Sequence, residues 1–81
     1  MKNAVQHRSI ADIAREIRGD WKKVYFGAVP YLDAMRSLDN VSDKIGADSA
    51  KTIILYFLWN ASQWRGEVAK RVKAELKSII K

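Results

Sequence analysis

Residues able to do acid–base, nucleophilic or metal chemistry are scarce in this chain of 81 residues. Histidine occurs once, as His7, and cysteine is absent. A serine or cysteine nucleophile needs a base held beside it. His7 sits in an aperiodic start of the chain, where nothing in the sequence would hold it. Zinc sites draw on cysteine or paired histidine, and neither is available. Asp39 and Asp43 have helical spacing and could hold a cation, but one acidic pair in a polar stretch reads better as solvated loop and cap residues. Gly19, Gly27, Gly46 and Gly66 are isolated from one another, so no glycine-rich phosphate loop is present. The inventory assigns no catalytic residue, no metal ligand and no cofactor, and the expectation is a non-enzymatic protein.

What remains is positive charge and aromatic surface. Fifteen Lys and Arg stand against nine Asp and Glu, a net charge of +6. The excess is uneven: residues 1–23 carry +3, residues 65–81 carry +4, and the stretch between them carries −1. Such a field attracts polyanions. The candidate phosphate-contacting residues are Arg8, Arg15, Lys22, Lys23, Arg65, Lys70, Lys73 and Lys77. Binding through them would be weakly sequence-selective and strongly salt-dependent. Trp21 and Tyr25 flank Lys22 and Lys23. With Arg65 they are residue types that dominate interface hot spots, and they form the candidate partner-binding set.

The spacing predicts helices to carry these groups. Ser9 suits an N-cap, with Asp12 three residues on at the positive helix end. Ile10, Ile13, Ala14 and Ile17 then mark one helical face. Gly19 is expected to end this helix, with Asp20 capping a short continuation through Val24. Residues 25–30 read as a break, where Gly27 allows unusual backbone angles, and Pro30 suits the first turn of a second helix. Tyr31, Leu32, Met35 and Leu38 give that helix about three turns. A polar connection over 39–47 follows, pinned by Val41 and Ile45. Asp48 is the expected N-cap of a third helix over 49–59, whose apolar run 53–59 reads as a central buried element. The same run fits a buried strand by periodicity alone, and the cap and helical neighbours favour helix. The last helix is expected over 63–80. Trp64, Val68, Val72, Leu76, Ile79 and Ile80 lie on its apolar face, Lys70, Lys73, Lys77 and Lys81 on the other, and Gly66 inside it at about 1 kcal/mol cost.

Two stretches carry resemblances. Ser9-Ile10-Ala11-Asp12-Ile13-Ala14-Arg15-Glu16-Ile17 resembles the first helix of helix-turn-helix repressors. Ala14 and Val24 match that motif in spacing, Gly19 comes one residue late, and Gly27 and Pro30 interrupt the would-be recognition helix. Residues 20–35 (DWKKVYFGAVPYLDAM) resemble a segment of small uncharacterised proteins of tailed bacteriophages and prophages. Asp48-Ser49-Ala50, Tyr56-Phe57-Leu58 and Trp64-Arg65-Gly66-Glu67 are similar to the rest of that group. The resemblance implies a phage origin and a bacterial intracellular setting, and it transfers no activity and no residue roles.

Together these readings predict a single all-α domain over 9–81, four main helices around a central hydrophobic one, after a flexible start over 1–8. The longest apolar run is seven residues, far short of the roughly 20 that span a bilayer, and no signal-peptide pattern is visible. A soluble, cytoplasmic protein is expected. Its first expected partner is nucleic acid. The alternative is a host or phage protein, bound by a module acting as inhibitor or assembly factor. Membrane binding is not expected. Dimerisation would help so small a core.

Overall fold

The computed structural model describes residues 8–46 and 48–81. The fold is all-α, and the described residues form four helices: α1 (Ile10–Asp20), α2 (Val29–Met35), α3 (Ala50–Trp59) and α4 (Glu67–Ile79). Two two-residue strands, β1 (Lys44–Ile45) and β2 (Asp48–Ser49), form a small antiparallel hairpin before α3. The expected N-terminal segment 1–7, with His7, lies outside the described residues.

Helix α1 begins where the sequence places it. The Ser9 hydroxyl accepts the backbone N–H of Asp12 at 3.0 Å. The two preceding amides, otherwise unpaired at a helix start, donate to the chain that follows α2: Ile10 N–H to Asp39 O at 2.9 Å and Ala11 N–H to Leu38 O at 2.8 Å. Helix α1 does not stop at Gly19. It runs through Asp20, and Trp21 closes it by donating to Ile17 O at 2.8 Å. The expected continuation to Val24 is absent: residues 21–28 form bends and a turn. Pro30 does stand in the first turn of α2. That helix spans seven residues, and the chain then tightens through Arg36 to Asp33, Ser37 to Ala34 and Leu38 to Met35 bonds.

The connection after α2 corrects two further expectations. Val41 is exposed and pins nothing. Asp43 holds the loop instead, its carboxylate accepting the N–H groups of Asp39 at 2.8 Å and Asn40 at 3.2 Å. Asp48 belongs to β2, and the cap of α3 is Ser49, which accepts Thr52 N–H at 3.2 Å. The run 53–59 is helical. Helix α4 starts four residues later than its periodicity suggests. Gly66 is its N-cap, with φ at 113°, a left-handed value that an L side chain rarely adopts. Trp64 therefore reaches the core from a turn rather than from α4.

The main helix contacts are α1 with α2 and α4, and α2 with α3. Ile10, Ile13, Ala14 and Ile17 of α1 are buried among Leu32, Met35, Leu38, Ile54, Val72 and Leu76. Phe57, fully buried, sits edge-on to Trp21 and Trp64 at ring-centroid distances of 6.2 and 6.4 Å. The two indoles stack at 5.9 Å with 10° between planes. The Trp64 indole N–H, a donor that needs a partner when buried, donates to Asp20 Oδ2 at 2.8 Å. Leu58 and Val68, expected at the centre, are half-buried and pack on its edge.

Candidate interaction surface

The basic residues nominated from sequence do not form one open face. Arg8 is anchored rather than loose. It donates to both Glu75 carboxylate oxygens, at 3.1 and 2.6 Å, and its Nη1 lies 2.8 Å from Glu16 Oε1. Arg71 pairs with the other Glu16 oxygen. These contacts join α1 to α4 through alternating charge. They hold the Glu16 carboxyl below its ordinary pKa, Arg71 being the larger cause and Arg8 the next. Arg15 pairs with Asp12 one turn away, and Arg18 with Asp33 at 2.5 Å. The seam between the two basic ends is thus largely neutralised by its own carboxylates.

Lys73 departs furthest from its expected place in an outward lysine stripe. Its ammonium donates to Ala61 O and Trp64 O, both at 2.7 Å, and lies 5.8 Å from the Trp64 ring centre. Burial lowers its pKa, with Lys77 and Arg65 adding to the effect. Lys73 is a clasp on the 61–64 turn. Arg65 and Lys70 line an open cleft of about 490 Å³ with Lys73, Trp64 and Glu67. Lys22, Lys23, Arg65, Lys70 and Lys77 are exposed.

The aromatic candidates are also redistributed. Trp21, expected at a partner surface, is 7% exposed and belongs to the core stack. Tyr25 is half-buried against the core edge, its ring 4.9 Å from that of Phe26. The exposed rings are ones assigned to the interior or passed over: Phe26 is 80% exposed, Trp59 68% and Tyr56 40%. Tyr31, Tyr56 and Trp59 form a continuous row, with centroid distances of 5.4 and 5.3 Å. The Tyr25 and Phe26 turn meets the end of α3 closely. A Cβ on Gly27 would come within 2.6 Å of the Tyr25 ring and 2.9 Å of Asn60 Oδ1. Ile53, Ile54 and Phe57 point α3 into the core, and Lys51, Leu55, Tyr56 and Trp59 occupy its other side. The sequence signal for this was the run 53–59 itself, a helix apolar all round, which carries more apolar surface than one packed side buries.

Among the described residues, no cluster of three His, Cys, Asp or Glu could hold a metal ion, and no helix is long and apolar enough to cross a membrane. Comparison with protein-family models, curated proteins and solved structures finds no match to this chain.

Proposed function

We propose that this chain is a non-catalytic protein-interaction module that docks a partner through the aromatic side of α3 and the adjacent 25–31 segment. The observation that carries the reading is the exposure of Phe26, Tyr56 and Trp59, with the Tyr31 ring packed on that of Tyr56. Large exposed apolar patches on small soluble domains mark binding sites, because their hydration is unfavourable unless a partner removes it. The phage resemblance makes a bacterial or phage protein the natural partner, with the module acting as inhibitor or assembly factor. Phosphate binding along α1 and α4 is the weaker reading, since Arg8 and Arg15 face carboxylates and Lys73 binds backbone carbonyls.

The test is affinity capture from nuclease-treated bacterial lysate, comparing the parent chain with Trp59→Gln. Trp59 is mostly exposed, so its replacement should leave the melting temperature within a few degrees of the parent. A protein retained by the parent and lost with folded Trp59→Gln supports the reading. Capture that disappears with nuclease treatment favours nucleic acid, and identical capture by both chains rejects the aromatic surface.

A further inference from the structure

We infer that the occupant of this aromatic face is an acidic amphipathic segment of another protein, rather than a second copy of this chain. The inference rests on the interaction reading above and adds the chemistry of the partner. The two stretches that carry the exposed rings, 21–32 and 49–60, contain no Asp or Glu, while they contain Lys22, Lys23 and Lys51. Lys51 stands on the outer side of α3 one turn before Leu55 and two before Trp59. Lys22 and Lys23 lead into Tyr25 and Phe26. All three lysines are exposed, and none has a carboxylate within ion-pair distance among the described residues. The acids that bound the first stretch are engaged elsewhere, Asp20 by the Trp64 indole and Asp33 by Arg18. Asp48, exposed on the hairpin, lies at the far end of α3 from Trp59.

An apolar centre with a rim of one sign selects a partner with the opposite rim. A second copy would bring the same cations against these, on a chain already at +6. Area argues the same way. The exposed fractions of Phe26, Tyr56 and Trp59, on side chains of about 150–250 Å², leave roughly 300–450 Å² of ring surface. A stable protein–protein interface takes about 800 Å² from each side. The face is the size of a docked segment, and the lysine rim supplies the added attraction. Nucleic acid also carries negative charge. However, the rings here pack on one another at 44° and 58° beside an aliphatic Leu55, which makes a continuous apolar ridge rather than separated platforms for bases.

The experiment selects peptides from a random displayed library on the immobilised full chain. Three companions accompany it: selection on Trp59→Gln, selection on the triple reversal Lys22→Glu, Lys23→Glu, Lys51→Glu, and measurement of mass in solution and of oligothymidylate binding for the free chain. The expected result is enriched peptides that combine apolar residues at helical spacing with several carboxylates. They should lose about tenfold or more in affinity on either variant and weaken as salt rises. Peptides that need Trp59 but show no acidic preference and bind the triple reversal equally would overturn the acidic partner while leaving the interaction reading standing. No Trp59-dependent peptide would overturn both. A dimer dispersed by Trp59→Gln would replace the inference with self-association, and oligothymidylate binding abolished by Trp59→Gln would replace it with nucleic acid.

Discussion

Replacing Lys73 with methionine keeps an unbranched apolar stem of nearly the same reach and removes the ammonium. Two carbonyl oxygens, of Ala61 and Trp64, then lose donors at 2.7 Å. A hydrogen bond from a charged donor contributes about 1.5–3 kcal/mol, and the burial that lowers the Lys73 pKa offsets part of the pair, leaving about 2–3 kcal/mol net. A chain of this size is stable by about 4–12 kcal/mol, so the loss is a large share of the whole. At roughly 4–8 °C per kcal/mol, the melting temperature followed by far-ultraviolet circular dichroism should fall by about 10–20 °C. Lys70→Met is the control. Lys70 is exposed on the neighbouring turn, and its replacement should change stability by no more than about 0.5 kcal/mol. The two substitutions remove the same charge from the same helix, so a uniform lysine stripe predicts equal effects. If Lys73→Met melts with Lys70→Met, both within about 3 °C of the parent, the clasp contributes nothing and the argument fails.

Phe57 is fully buried and edge-on to the stacked Trp21 and Trp64, so Phe57→Ala should cost about 3–5 kcal/mol, measured by urea unfolding; a native-like midpoint would contradict its central place. The Glu16 carboxyl is held below its ordinary value of 4.5 by Arg71 and Arg8. A carboxyl with a depressed folded pKa stabilises the fold above its unfolded pKa and loses that contribution as pH falls through the folded one. Stability measured by denaturant titration should therefore be flat in this respect from pH 7 to 5 and fall below about 4.5. Glu16→Gln should lower stability at pH 7 by about 1 kcal/mol, and the gap to the parent should close in acid. An equal gap at pH 7 and pH 2 would dissociate Glu16 from the charge network.

The amino-acid sequence by itself determined the helical class and much of the core. Capping chemistry and periodicity are local: Ser9 with Asp12, and the spacing of Ile10, Ile13, Ala14 and Ile17, act within one or two turns. The structure keeps that N-cap and that face. Pro30 in the first turn of α2 is local in the same way. The errors fell where several local solutions compete. Asp48 and Ser49 are both good caps, and the hairpin chose by pairing Asp48 with Ile45. Gly66 suits a helix interior poorly and a left-handed cap well, so α4 starts after it.

The candidate site was much less legible, because exposure is a property of what packs on a side chain rather than of the side chain. Trp21 stands between charged residues and Trp59 ends an apolar run, yet their burial is the reverse of what those neighbours suggest. Trp21 is buried because Trp64 and Phe57 meet it from distant parts of the chain; Trp59 faces outward because, among the described residues, α3 packs on the core by one side only. The lysines divide in the same way. Lys70 and Lys73 share a helix and a charge, and only the turn at 61–64, brought alongside α4 in the folded chain, converts Lys73 from a surface cation into a clasp. Composition fixed the excess of positive charge. Tertiary packing decided which cations meet carboxylates across the α1–α4 seam and which stay exposed, because charges far apart in sequence interact only once the fold brings them within a few ångströms.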